Sequence, residues 1–201
     1  MNAQLHTLDR TVRRPVRRAL MAVDLLYRRR NRLHAVGPLL HVGVKVWTGP
    51  AFELADGTRL VADDLIGSLH FDNARIAEIN DAGDRAGLRF ARALRKSFVS
   101  LAARASDPTF SGVRAFQGVT WVRAHGERLG FEQRPLPAGI KRTLLDLHFR
   151  LFAWAFGAAW SADREPRVFW VTRGALKRHF GEKRHFGEKH HFGEMRHFGD
   201  R

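Results

Sequence analysis

The chain is expected to fold as a single α+β domain, with three or four helices packed on a small mixed sheet that includes a hairpin in its N-terminal half. Three observations predict this. Short segments with period-two alternation are interleaved with longer segments of helical spacing. Asp56-Gly57 lies between two apolar segments, a strong hairpin signal because both residues tolerate positive φ. At 201 residues, the chain is long enough for one domain with a real core plus appendages.

The elements follow in order. Arg10 to His34 reads as one amphipathic helix, with Thr11 as its cap and Pro15 near the first turn. Val16, Leu20, Val23 and Leu26-Tyr27 recur at helical spacing, and Arg28-Arg29-Arg30 complements the dipole at the C-terminal end. Gly37-Pro38 closes it. Leu39 to Trp47 is a strand with Val42, Val44 and Val46 on one face. Phe52–Leu54 and Thr58–Val61 flank the Asp56-Gly57 turn. Asp63-Asp64 begins a second turn, and Ile66 to Phe71 resumes extended structure.

Ala74 to Asp84 gives a mixed signal, a short helix ending in a loop at Asp81-Ala82-Gly83. Asp84 is expected to cap a helix reaching Ala105. Leu88, Ala91, Leu94, Phe98 and Leu101 form its buried stripe, opposite Arg85, Arg89, Arg92 and Lys96. Val113–Phe116 is a strand, Thr120 caps a short helix to Leu129, and Phe131–Arg134 is another strand. Ile140 to Trp160 is apolar nearly all round, which predicts a central helix covered on several sides. Val168–Val171 is a late strand, and Gly174–His179 a last helical turn.

Charge divides the chain into a basic arm (1–34), a body (35–178) and a tail (179–201). The formal net charge is +15. Residues 1–34 hold nine arginines against Asp9 and Asp24, and residues 177–201 hold seven Lys or Arg against four acids, so two thirds of the excess sits in the ends and residues 35–176 are only mildly basic for their length. A nucleic-acid-binding domain is expected to carry such charge on its own folded surface. Arg13, Arg14, Arg17, Arg18, Arg28, Arg29 and Arg30 are instead candidates for contact with an anionic membrane surface, and their bland alternative is a solvated helix face. Nucleic acid binding through these arginines and Arg85, Arg89 and Arg92 stays open as an alternative.

There is no cysteine, which removes disulfide and thiolate chemistry. Arginines occupy the place where a signal peptide needs an apolar core, so a cytoplasmic protein is expected, at most peripheral at the inner membrane face. The longest uncharged apolar run, Leu151 to Ala162, has 12 residues, against roughly 20 for a bilayer span.

From His179 the chain repeats a six-residue unit: HFGEKR, HFGEKH, HFGEMR, HFGDR. Six residues advance about 600° along a helix, so successive phenylalanines fall on different faces. Glycine in each unit weakens a helix further, and disorder is expected. His179, His185, His190, His191 and His197 lack the rigid, closely spaced pairing of structural zinc ligands. No metal site and no cofactor are expected.

Candidate chemistry gathers at Asp63, Asp64, His70, Asp72 and Asn73. On an extended strand, residues 70 and 72 point the same way with about 7 Å between Cα atoms, so they can share a ligand more readily than bond each other. Asp64, His70, Asp72 and Asn73 are the candidate ligand-binding set, and His70 and Asp72 the candidates for catalysis. The structural alternative makes Asp63-Asp64 a turn and Asp72-Asn73 a cap. No P-loop, G-x-S-x-G, H-E-x-x-H or G-x-G-x-x-G pattern is present. Arg123, His125 and Glu127 point to different helical faces. His41 and His148 are read as structural, and Trp121 and Trp170 as core or a sugar-stacking surface.

Leu25-Leu26-Tyr27-Arg28, Arg32-Leu33, Gly49-Pro50, Leu54-Ala55-Asp56-Gly57-Thr58, Asp64, Ile66-Gly67, Leu69-His70 and Asn73 together resemble the YkoP-like domain family. Gly118-Val119-Thr120-Trp121, Leu129-Gly130-Phe131 and Trp170 to Leu176 extend the likeness to about residues 20–178. Its best motif is D-G-T followed by L-H-x-x-N. Members of the family occur alone or fused behind polysaccharide deacetylase domains. The resemblance therefore implies a link to cell-envelope glycan or lipid-linked sugar metabolism without an activity of its own. The first reading is an accessory, non-catalytic domain of bacterial envelope-polysaccharide metabolism that recognises a polar, glycan or sugar-containing ligand beside His70, Asp72 and Asn73. The alternatives are the nucleic-acid-binding protein and a hydrolase or transferase working through His70. The basic helix and the repeat tail lie outside what the resemblance explains.

Overall fold

The computed structural model describes residues 2–81, 83, 85–120, 130–156 and 165–181, with side chains from residue 13 onward. Asp84, the helix expected after Thr120 with Trp121, Arg123, His125 and Glu127, and the repeats beyond Gly181 lie outside them, as does the side chain of Thr11.

Six strands form one mixed sheet: β1 (His34–Val36), β2 (Leu40–Val46), β5 (Leu65–Phe71), β6 (Val113–Thr120), β8 (Arg167–Thr172) and β7 (Phe131–Pro135), in that spatial order. Among the described residues only β5 and β6 pair in parallel. The hairpin β3 (Phe52–Glu53) and β4 (Arg59–Leu60) forms a separate two-stranded sheet turned by Gly57 at φ 81°. Asp56 fastens this turn to the body by accepting from Thr58 N at 3.1 Å and Thr172 Oγ1 at 2.5 Å. The helices are α1 (Asn2–Arg30), α2 (Asn73–Asp81), α3 (Ala86–Arg104), α4 (Ile140–Phe156) and α5 (Arg173–Phe180).

Period-two alternation assigns the two sheet faces. Leu40, Val42, Leu69, Phe116, Phe169 and Val171 face the larger core, closed by Phe98 and Leu101 of α3 and by Leu176 and Phe180 of α5. Phe98, Phe131 and Phe180 pack with ring centroids 4.8–6.2 Å apart. On the other face, Ile66, Ala115, Val168 and Trp170 meet Leu54 and Leu60 of the hairpin region and Leu145 of α4. A third cluster joins Leu20 of α1, Ala77 of α2, and Phe152, Ala155 and Phe156 of α4. α3 and α5 thus cover one face, and α1, α4 and the hairpin the other.

Several expectations are corrected. The first helix begins at Asn2, not near Thr11, so Pro15 lies inside it. It ends at Arg30, and His34–Val36 pairs as an edge strand. Val42, Val44 and Val46 share one face of β2 by alternation, with Val42 buried and Val44 and Val46 exposed. α3 starts from Arg85 in the left-handed conformation without a side-chain cap, and Leu88 is exposed. The first His-Phe of the repeat belongs to α5, and Phe180 is core.

The largest correction concerns α4. Leu145, Phe152 and Phe156 are turned inward, but Ile140, Leu144 and Leu147 are 81%, 60% and 61% exposed, with Leu151 and Trp154 exposed beside them. A helix apolar around most of its circumference has only one side against the sheet here. No helix among the described residues is long and apolar enough to cross a membrane.

Candidate functional site

His41 of β2 and His70 of β5 sit directly opposite each other in antiparallel register and so share a face. Their flanking residues Leu40, Val42 and Leu69 turn into the larger core, which sends both imidazoles to the face covered by α1 and α4. The same parity places Lys45, Ser68 and Gln117 on that face, and Lys45 Nζ donates to Gln117 Oε1 at 3.1 Å.

The residue that meets the histidines comes from α1. Helical spacing stacks Leu20, Asp24 and Tyr27-Arg28 on one side of it. Leu20 anchors that side against α4 and α2. Asp24 is 4% exposed. Its Oδ1 accepts from His70 Nε2 at 2.5 Å and from Asn73 Nδ2 at 2.7 Å. Its Oδ2 lies 3.1 Å from Arg28 Nε, close enough for ionic attraction but misaligned, so neither buried atom has a hydrogen bond. Arg28 reaches on with Nη1 to His41 Nε2 at 3.1 Å and Asp72 Oδ2 at 3.3 Å.

These contacts set the protons. A guanidinium only donates, so His41 Nε2 accepts and its proton sits on Nδ1, which is buried and unpaired among the described residues. Burial first, and then the positive charge of Arg28, lower the His41 pKa below its usual value, so the ring is neutral at pH 7. The 3.9 Å approach of His41 to Asp72 is therefore not an ion pair. A carboxylate beside an arginine accepts, so His70 donates through Nε2 and keeps Nδ1 as its second position. The His70 side chain is 26% exposed, and the exposed Tyr27 ring lies tilted against it at 5.0 Å between centroids.

His148 of α4 belongs to the same neighbourhood. Burial first, then the nearby His70, depress its pKa, with Asp24 acting in the opposite sense. The arrangement is thus a fixed, partly open imidazole with the Tyr27 ring lying against it. It can hold a polar ligand or exchange a proton at Nδ1.

Among the predicted site residues, the structure brings His70, Asp72 and Asn73 together around Asp24 and Arg28. Asn73 spends its amide on Asp24. Asp72 accepts from Arg75 N at 3.0 Å, as a cap for α2, while its other oxygen faces Arg28. Asp64 is not there. It sits beyond the opposite end of β5, where the N–H of Val61 and the guanidinium of Arg114 hold its carboxyl below the usual range. Arg28 faces inward, Arg17 pairs with Asp81 at 2.8 Å, and Arg14, Arg18, Arg29 and Arg30 are exposed. Arg85, just before α3, and Arg89 and Arg92 on it are exposed, in the helix layer opposite α1. Among the described residues no three His, Asp or Glu side chains are grouped to hold a metal ion.

Sequence reasoning missed Asp24, Tyr27 and His148. One signal was present: Asp24 is an acid on the stripe of Leu20 and Tyr27, in a helix otherwise lined with arginine. A charge on a buried stripe announces a buried partner.

The family model described as YkoP domain matches residues 13–180, from the described side chains of α1 to the last residue of α5. No curated protein and no solved structure matches the chain. The match takes in Asp24, Arg28, His41, His70, Asp72, Asn73 and His148, so the whole cluster lies within it. The chain belongs to the YkoP domain family.

Proposed function

We propose that this domain is an accessory, non-catalytic module of bacterial envelope-polysaccharide metabolism that binds a hydroxyl-rich, sugar-containing ligand beside His70. The observation that carries the reading is the Asp24–His70 contact at 2.5 Å. A buried carboxylate locks one imidazole nitrogen and leaves a half-exposed ring edge in a fixed orientation, which lowers the entropy lost on binding. Tyr27 supplies an exposed aromatic face beside it, the surface on which sugar rings stack. Ser68, Gln117 and Lys45 continue the polar line along the same sheet face.

The test is a titration of the full chain with soluble chito-oligosaccharides and with glycerol-phosphate oligomers, following the His70 and Tyr27 ring signals by NMR. The expected result is saturable shifts at both rings for one ligand class, weakened at least about tenfold in His70→Ala and Tyr27→Ala. Shifts absent from both rings with every ligand overturn it.

The same contact favours a second reading. An aspartate holding Nε2 orients His70 for acid–base work at Nδ1, in a hydrolase or transferase. That reading stands if a ligand found in the titration is turned over and His70→Ala abolishes turnover. It falls if binding occurs without reaction.

A further inference from the structure

We infer that the outer side of α4, together with the adjoining side of α1, is a docking face for an anionic lipid bilayer. This goes beyond the ligand proposed for His70 and does not depend on it.

Ile140, Leu144, Leu147, Leu151 and Trp154 alternate by four and three residues, so they form one continuous stripe along the helix. All five are exposed. The stripe borders α1, because the Arg13 guanidinium lies 5.5 Å over the Trp154 ring and Arg17 lies 4.6 Å over Phe156. α1 packs alongside α4 and exposes Val23 and Leu26 of its own. Scattered apolar residues need no explanation, but a stripe of four aliphatic side chains and a tryptophan does.

Charge identifies the occupant. The described side chains of α1 and α4 include ten Lys or Arg against only Asp24 and Asp146. Asp24 is held by Arg28 and Asp146 by Arg150 at 2.8 Å, and with Arg17 paired to Asp81 and Arg142 to Glu165 the exposed cations Arg14, Arg18, Arg29, Arg30 and Lys141 still outnumber the acids of the two helices. Aliphatic residues, an interfacial tryptophan and a cationic surround are the chemistry of a helix lying in the headgroup region of an anionic membrane. A second copy of this chain docked by the same stripe brings two cationic helix pairs together, an arrangement that repulsion opposes.

Of the arginines the sequence offered, Arg14, Arg18, Arg29 and Arg30 are exposed on α1, available for headgroup contact. Arg28 is turned inward, and insertion rests on α4.

The experiment is vesicle co-sedimentation of the full chain with phosphatidylcholine vesicles containing about 30% phosphatidylglycerol, and with pure phosphatidylcholine. Binding is expected to the anionic vesicles, to weaken as salt rises, and to fall about tenfold or more in Leu144→Ser/Leu147→Ser. Brominated acyl chains are expected to quench tryptophan fluorescence in the parent and not in Trp154→Phe. The double variant keeps its melting temperature, because both leucines face solvent. A chain ending at Gly181 binds as the parent does. Absent binding, or binding that the double variant leaves unchanged, overturns the inference. So does a dimer that the double variant dissolves, or a fall in melting temperature showing that the stripe is covered from within the chain.

Discussion

The carboxylate of Asp24 on α1 receives His70 Nε2 of β5 at 2.5 Å and, on the same oxygen, the amide of Asn73 at the start of α2. One buried acid therefore ties the first helix to the sheet and to the second helix. Asp24→Ala leaves His70 and Asn73 without their shared acceptor and Arg28 without its buried counter-charge. The expected cost is about 3–5 kcal/mol, the range for breaking a buried ion pair from one side. Asp24→Asn keeps an acceptor oxygen and is expected to cost less. Urea unfolding midpoints of the two variants check both the size and the order.

Stability is expected to fall on mild acidification. His41 and His148 have pKa values depressed below 6.5 in the folded protein, each first by burial. Below that pH the unfolded chain takes up protons that the folded chain refuses, so unfolding gains as pH drops. Above it both states are neutral at these rings and the effect vanishes. The loss therefore begins near pH 6.5 and grows downward. The lowered carboxyls Asp56 and Asp64 act separately, in the window below 3.8. Unfolding free energy measured from pH 7.5 to 5 should slope downward, and His41→Asn should flatten the slope.

Gly67 of β5 lies against the Phe116 ring. A Cβ added there would stand 2.1 Å from Phe116 Cδ1, and Phe116 is fully buried with no room to retreat. Gly67→Ala is expected to destabilise by about 1–3 kcal/mol, the cost of overpacking. Gly57 has φ 81° and no atom near its missing Cβ, so Gly57→Ala costs only the backbone strain, about 1 kcal/mol. Thermal melts of the two variants separate a steric penalty from a conformational one.

The boundary of the folded domain can be tested at Phe180. Its ring lies in the larger core with Phe98 and Phe131. Phe180→Ala should cost about 3–5 kcal/mol, whereas a chain ending at Gly181 should melt with the parent. A chain ending at residue 178 should behave like the alanine variant.

The strands were legible because their signal is local. Val113, Phe131 and Val168 begin the strands expected, within a residue or so, since alternation and flanking turn residues are properties of short stretches. The Asp56-Gly57 turn was legible for the same reason. The site was legible only in half: His70, Asp72 and Asn73 are close in sequence, but Asp24 is 46 residues from His70. Nothing local to an acid in a basic helix says which imidazole it will meet. Asp64, near in sequence, is remote in space because β5 is extended and separates it from His70 by about 20 Å.

α4 shows the other limit. Its apolar circumference is readable, but burial depends on what packs against it, and that is decided by where α1 and the sheet leave off. The sequence by itself determined the class of fold, most of the strands and helices without the edge strand His34–Val36, the absence of cysteine and the family. The tertiary structure alone decided that Asp24 joins His70, that Arg28 turns inward, and that the outer side of α4 stays uncovered. Each of these is a meeting between elements distant in the chain, and periodicity specifies a surface without specifying its partner.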